Sequence, residues 1–230
     1  MKCWICGEDD ANTREHKNKA SDLRSEFGVV TQKEPLYYHI KYPENDKPTQ
    51  IKICSLKADI LKFDHEICHM CNSTRTQPYD RAWETFSSSM RPLVLKQKKV
   101  RCNKIFSYDT RRCMLNLHLY FVKLFGCHIV DNKIPINIES FSKAILDKKA
   151  HPNLYLSFGH FGISNGKYSG CSEIQCDLLN GEVAFANWFY QVGTLVVNIL
   201  YAIPGERRYG LIDAWHPKKA LCLNVKDFIS

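Results

Sequence analysis

Short apolar segments separated by turn residues fill the last third of the chain. They are LYLSF from Leu154, EIQCDLL from Glu173, EVAFANWFY from Glu182, TLVVNILYAI from Thr194, YGLIDAW from Tyr209 and ALCLNV from Ala220. Their lengths and their content of β-branched and aromatic residues predict strands. Asn180-Gly181 stands between the second and third segments, and this dipeptide is the strongest short signal for a β-hairpin. This part of the chain is therefore predicted to form a mainly antiparallel sheet.

Two helices are predicted before these strands. Asp109 is a good N-cap residue, and apolar residues follow it at helical spacing to about Phe125, where Gly126 is expected to stop the helix. The apolar stripe consists of Met114, Leu117, Phe121 and Leu124. His118 lies on the same stripe and is predicted to be a packed core histidine rather than a ligand. The second helix is predicted near 138–149.

The first part of the chain has fewer regular signals. LYYHIKY from Leu36 and QIKIC from Gln50 alternate apolar and polar residues, which predicts a hairpin joined by PENDKPT. PYDRAWETFSSSM begins with a proline, a favourable first helical residue, and predicts a short helix. The predicted fold class is α+β. Residues 1–92 form a loop-rich unit, residues 93–107 a basic linker or arm, and residues 108–230 an α+β domain of unknown role.

Composition limits the class of protein. With 230 residues and 44% hydrophobic side chains, the chain can bury a full core. No run approaches the roughly 20 consecutive apolar residues of a membrane helix, and the start lacks the apolar run of a signal peptide. A cytoplasmic protein without a membrane partner is therefore expected. The 11 cysteines are an odd number, and clustered cysteines in a reducing compartment more often hold metal than form disulfides.

The positive charge is unevenly distributed. The formal net charge is +8, yet residues 1–92 contain equal numbers of basic and acidic side chains, so the excess lies in 93–230. The tract KQKKVRCNK, followed by Arg111 and Arg112, is the densest basic segment. A polyanionic partner and a merely solvated linker both explain such a tract, and the sequence favours neither.

Two C-x-x-C motifs are the strongest chemical signal. They are formed by Cys3 with Cys6 and by Cys68 with Cys71. Four thiolates are enough for a tetrahedral structural zinc, although the separation between the motifs is longer than in a compact zinc ribbon. Chance clustering or a redox pair is the less favoured explanation. His65 and His69 are alternative ligands, but Cys3 and Cys6 would then lack matched partners.

The combination CWIC, TREHK and C-x-x-C-N resembles the HNH endonuclease family, which has a ββα-metal fold, in its variant with a four-cysteine zinc. The resemblance covers about residues 1–90. It implies that His16 is the general base that deprotonates the attacking water. It also implies that Glu15 and Asn72 hold one catalytic Mg²⁺ or Mn²⁺ against the scissile phosphate. Histidine titrates near neutrality, and hard cations prefer carboxylate and amide oxygens, so the residue types suit these roles.

The sequence departs from the family at one position. Asp64 stands where the family has its middle asparagine, which braces the loop and orients the base. An aspartate accepts the same hydrogen bonds but cannot donate. We expect Asp64 either to orient His16 by accepting from the imidazole or to add a ligand to the catalytic cation.

The function that this resemblance implies is metal-dependent hydrolysis of nucleic acid, most directly double-stranded DNA. The expected phosphate contacts are Arg14, Lys17, Arg75, Lys98, Lys99 and Arg101. The alternative is a non-catalytic zinc module that binds nucleic acid or a partner protein. Small nucleases of this kind resemble effectors of bacterial or phage defence systems that act with a partner such as an ATPase, which residues 108–230 would contact.

Overall fold

The computed structural model describes residues 1–40, 49–161 and 168–228. Its strands are β1 (Ala11–His16), β2 (Leu36–Ile40), β3 (Thr49–Ile53), β4 (Lys62–Cys68), β5 (Lys99–Arg101), β6 (Leu154–His160), β7 (Tyr168–Cys171), β8 (Gln175–Leu179), β9 (Glu182–Val192), β10 (Leu195–Ala202) and β11 (Cys222–Asp227). Its α-helices are α1 (Ala20–Phe27), α2 (Gln77–Val94), α3 (Cys102–Ile105), α4 (Thr110–Asp131), α5 (Ile138–Leu146) and α6 (Tyr209–Ile212). A 3₁₀-helix spans Asp59–Leu61, and a π-helix spans Met70–Arg75. The predicted class, α+β, is confirmed.

The strands of the described chain form two sheets. β1 and β4 pair antiparallel as a small sheet. The other nine strands form one sheet in the order β3-β2-β7-β9-β10-β6-β11-β5, with β8 also pairing with β9. Most of these pairings are antiparallel, and β2 with β7 and β11 with β6 are parallel. The large sheet is therefore mainly antiparallel, as predicted.

The predicted hairpin at Asn180-Gly181 is confirmed. β8 and β9 pair antiparallel on either side of this dipeptide, with Leu179 opposite Glu182. Both turn residues have positive φ, 53° at Asn180 and 86° at Gly181. A two-residue type I′ turn requires this conformation at both positions, and asparagine and glycine adopt it at least cost.

The hairpin predicted between Leu36 and Cys54 is also present, as β2 and β3. Its connection, residues 41–48, lies outside the described residues. β2 pairs with β7, so this hairpin belongs to the same sheet as the C-terminal strands. The domain boundary expected near residue 92 therefore does not separate two units, because strands from both sides of it belong to one sheet.

Residues 93–107 are not a free linker in the structure. β5 pairs antiparallel with β11, with Val100 opposite Leu223. Val100, Cys102 and Phe106 are buried in the main core. The tract contains a short alternating strand, in which Val100 faces the core while Lys99 and Arg101 remain exposed. The basic side chains made this strand difficult to recognise from the sequence. The prediction of a linker is corrected by this pairing.

Helix α4 begins as predicted but ends later. The Asp109 carboxylate accepts a hydrogen bond from the Arg112 amide at 3.3 Å, which is the expected cap. The predicted stop at Gly126 is wrong, because the helix continues to Asp131. A Cβ at Gly126 would lie 2.3 Å from the Trp4 indole. Gly126 therefore does not end the helix. Its missing side chain leaves room for the Trp4 indole.

α4 is the central helix of the core. It is long and apolar enough to pass for a membrane span, but most of it is buried inside the protein. Its Tyr120 ring stacks on Trp83 of α2 at a centroid distance of 5.4 Å. Burial on all sides explains why a helix of a mixed fold is so uniformly apolar.

Three buried histidines meet at one end of this core. His118 is fully buried, as predicted, and its ring centroid lies 5.0 Å from that of His216. Its Nε2 accepts a hydrogen bond from the backbone amide of His151. Burial, reinforced by neighbouring His216, lowers the pKa of His151 to about 4. Burial likewise lowers the pKa of His128, elsewhere on α4, to about 3.

These histidines predict a stability that falls in mild acid. In the unfolded chain each imidazole takes up a proton near the ordinary histidine pKa of 6.5, whereas folded His151 does so only at a pKa of about 4. Protonation therefore favours unfolding between those pH values, and stability is complete above about pH 6.5. We expect His151 alone to account for about 2 kcal/mol of lost stability at pH 5.

Urea unfolding at pH 7 and pH 5, with metal content checked at each pH, measures this loss. The variant His151→Gln, which cannot titrate, should show a clearly smaller difference between the two pH values. An identical difference in the variant and the natural protein would contradict the assignment.

Candidate metal centre and adjoining pocket

The small sheet places the two cysteine motifs next to each other. Ala11 of β1 lies opposite Cys68 of β4, and His16 lies opposite Lys62 at the other end. The first motif lies shortly before β1, and the second begins at Cys68, the last residue of β4. The antiparallel pairing therefore brings together chain segments that are more than 50 residues apart in the sequence.

The four cysteines form a cluster suited to a metal ion. The sulfur atoms of Cys3, Cys6, Cys68 and Cys71 all lie within 4.8 Å of one another. Cys6 Sγ and Cys68 Sγ are 3.6 Å apart. Tetrahedral zinc with bonds of about 2.3 Å requires sulfur separations of roughly 3.8 Å, so the arrangement is compatible with zinc. No other such group of ligands occurs among the residues that the structure describes.

Local backbone geometry shapes the first motif. The Gly7 amide donates to the Cys3 carbonyl at 2.8 Å, and Gly7 has a φ of 81°. The turn thus requires the left-handed conformation that glycine adopts without strain. In the second motif the Cys71 amide donates to Cys68 Sγ at 3.3 Å, which favours a thiolate there.

Arg75 contacts the cluster. Its Nη1 lies 2.8 Å from Cys71 Sγ. Four thiolates around a divalent ion would have a net charge of −2, and the guanidinium offsets part of it. The sequence predicted Arg75 as a phosphate contact, and the structure instead pairs it with a cysteine sulfur.

A polar pocket of about 240 Å³ lies beside the cluster. Its lining includes Arg14, Glu15, His16, Lys19, His69, Asn72 and Asp80. The strand β1 supplies the acid–histidine pair, and the π-helix supplies the asparagine. The structure therefore brings three of the four predicted catalytic residues to one pocket.

His16 is half-buried at the end of β1. Burial lowers the pKa of its imidazole, and the neighbouring charge of Glu15 and a hydrogen bond with the Leu56 backbone oppose that shift. A neutral imidazole can accept a proton, which is what a general base must do.

Asn72 directly follows Cys71 in the π-helix. Its Nδ2 donates to Thr13 Oγ1 of β1 at 3.1 Å. This bond fixes the side-chain amide across the small sheet. The amide NH₂ only donates, so the amide oxygen is the side-chain atom that can bind a cation.

Asp64 does not line this pocket. Its side chain is 91% exposed, and Oδ1 accepts from Arg14 Nη2 at 3.0 Å. Asp64 instead borders a neighbouring cavity together with Lys17 and Asp131. Neither role expected for Asp64 has a contact that supports it. Arg14, expected to contact phosphate, is held by Asp64 and Asp59 at the rim.

An ion-pair network missed by sequence reasoning lies behind the pocket. Lys123 of α4 is fully buried, and its Nζ lies 3.0 Å from both Glu15 Oε2 and Asp80 Oδ1. Lys19 Nζ contacts the other oxygen of Asp80 at 3.2 Å. One signal was available, since Lys123 interrupts the apolar run of α4.

Comparison with family models, curated proteins and solved structures finds no match to this chain. The likeness to HNH endonucleases therefore depends on the motifs and on the geometry described above.

The cysteine cluster predicts a bound metal. We expect elemental analysis to find about one zinc per chain, because four thiolates at these distances form one tetrahedral site. Cys71→Ser should lose this zinc and lower the melting temperature, because the cluster joins two distant segments.

Cys176→Ser is the matched control, since Cys176 is exposed and lies outside the cluster. It should keep both the zinc and the melting temperature. A natural protein that is well folded without metal would contradict the prediction.

Proposed function

We propose that the protein is a metal-dependent endonuclease of the HNH type. The observation that carries this proposal is the convergence of Glu15, His16 and Asn72 on one pocket beside the four-cysteine cluster. In this proposal zinc is the structural ion of the cluster, and Mg²⁺ or Mn²⁺ is the catalytic ion.

The residues of the pocket suit phosphodiester hydrolysis. His16 takes a proton from the attacking water, and its lowered pKa keeps the imidazole neutral near pH 7. Glu15 and Asn72 would hold the cation through oxygen atoms. When bound, the cation would supply charge stabilisation to the phosphoryl oxygens.

The proposed substrate is nucleic acid, with duplex DNA as the first choice. The exposed cations Lys98, Lys99 and Arg101 support it, since a polyanion needs positive charge outside the neutral N-terminal part. A role in bacterial or phage defence, with an ATPase or another partner contacting residues 108–230, is an extension by analogy.

A non-catalytic zinc module is the second candidate. The ion pair between Glu15 and Lys123 favours it, because a carboxylate already paired with a cation is a weaker metal ligand. Purified protein incubated with plasmid and with short RNA, in Mg²⁺, Mn²⁺ or EDTA, separates the two candidates.

The base assignment gives the sharpest test of the enzyme. His16→Ala should abolish cleavage while leaving the fold and nucleic-acid binding intact, because it removes the base and not the scaffold. Glu15→Ala and Asn72→Ala should raise the Mg²⁺ or Mn²⁺ concentration needed for cleavage. Plasmid nicking measured against metal concentration provides both readouts.

His69→Ala is the matched control, because His69 lines the same pocket but lies on another segment, between Cys68 and Cys71. Undiminished cutting by the His16 variant, together with loss in the His69 variant, would assign the base to His69 instead.

The basic strand β5 and its preceding residue predict a salt-dependent affinity. Each phosphate neutralised on duplex DNA contributes roughly 0.9 to the slope of log affinity against log salt. Changing Lys98, Lys99 and Arg101 together to alanine should flatten that slope by about two to three units. Fluorescence anisotropy of a labelled duplex at several salt concentrations measures it.

A control with the same loss of charge uses the exposed cations Arg24, Lys33 and Lys52, which lie on separate segments. It should change the slope much less. An unchanged slope in the first variant would move the phosphate contact to a concavity with four exposed cations, Arg111, Lys148, Lys149 and Lys218.

A further inference from the structure

Lys123 has an unusual environment for a lysine. Its side chain is fully buried in α4, between the core residues Val122 and Leu124. Its ammonium contacts Glu15 Oε2 and Asp80 Oδ1 at 3.0 Å each. The third contact is Thr76 Oγ1 at 3.4 Å. Three acceptors use all three ammonium protons, so the group is fully satisfied.

The two carboxylates keep the buried ammonium of Lys123 charged. Burial by itself would lower the pKa of Lys123, but the two carboxylates outweigh it and raise that pKa. Lys123 is therefore charged. A buried ion pair is often no more stable than apolar residues of the same size, so core packing alone does not explain this lysine.

Both partners of Lys123 belong to the candidate site. Glu15 and Asp80 line the pocket that also contains His16 and Asn72. The lysine approaches them from the core, so the protein, and not solvent, balances one of the two carboxylate charges. Any cation in the pocket would experience this positive charge as well as the two negative ones.

We propose that Lys123 is a positioning residue that orients the Glu15 and Asp80 carboxylates and sets the affinity of the pocket for a divalent cation. This inference rests on the proposed metal site. Lys123 limits that affinity while it holds Glu15 in place for catalysis. Helix α4, which lies outside the segment that resembles HNH nucleases, is thereby part of the catalytic centre.

The test is calorimetric titration of the zinc-loaded protein with Mn²⁺. Lys123→Met removes the charge and keeps the side-chain length, so Mn²⁺ should bind at least about tenfold more tightly, as expected for loss of a unit charge about 6 Å from a dication at a water-like dielectric constant. Cleavage should fall in the same variant, because Glu15 loses its anchor. A purely structural lysine predicts unchanged or weaker Mn²⁺ binding.

Two further variants keep the test decisive if Lys123→Met does not fold. Asp80→Asn removes one negative charge and should weaken Mn²⁺ binding about tenfold. Lys123→Met combined with Asp80→Asn restores the natural net charge and should return the affinity close to that of the natural protein. If the double variant binds no more tightly than Asp80→Asn alone, the proposal is overturned.

Lys33→Met is the matched control for the loss of one positive charge. Lys33 is exposed and does not line the pocket, so solvent and salt screen its charge. Its effect on Mn²⁺ affinity should be less than about threefold, well below that of Lys123.

Plasmid cleavage measured in parallel separates this inference from the proposed function. If the natural protein cleaves and Lys123→Met leaves Mn²⁺ affinity unchanged, the nuclease assignment stands and the role of Lys123 is wrong. If the natural protein binds no Mn²⁺, both are wrong.

Discussion

The convergence of four cysteine sulfur atoms within 4.8 Å determines where the rest of the candidate site lies. The first cysteine motif leads into β1, and the second leads into the π-helix. Holding the two motifs together therefore holds β1 beside the helical segment, where Asn72 bonds to Thr13. His16 and Asn72 become neighbours as a consequence, although 55 positions separate them in the sequence. A metal ion at the cluster would make this arrangement rigid without a large local core.

The rest of the protein packs against this small unit through buried side chains and a shared sheet. Trp4 packs against Gly126 of α4, and Lys123 of the same helix reaches Glu15. The hairpin β2–β3 extends the sheet that the C-terminal strands form. Substitutions in the core of α4 should therefore affect the pocket, because this helix packs against Trp4 of the first cysteine motif and pairs with the Glu15 and Asp80 carboxylates.

The sequence predicted the features that depend on local signals. The Asn180-Gly181 hairpin, the Asp109 cap and the two cysteine motifs each depend on a few adjacent residues, and each is present in the structure. The pocket residues of β1 were found because a family resemblance supplied their roles. Asp64 was carried over by position, and the structure places it at an exposed ion pair instead.

The strand predicted at YGLIDAW is wrong, because Tyr209–Ile212 forms the helix α6. The other features that were missed depend on contacts between distant segments. Gly126 looks like a helix stop until Trp4 is seen to occupy the space beside it. β5 looks like a linker because strand β11, its partner, lies more than 100 residues away. Lys123 gave only a weak signal, since nothing in the sequence shows which carboxylates a buried lysine will meet.

The central claim is that the pocket holds a divalent cation beside His16. Anomalous diffraction from crystals of the zinc-loaded protein soaked in Mn²⁺ tests this claim most directly. We expect a zinc peak among the four cysteine sulfurs and a separate manganese peak between the Glu15 carboxylate and the Asn72 amide oxygen. A pocket without manganese, in crystals in which the pocket is open to solvent, would contradict it.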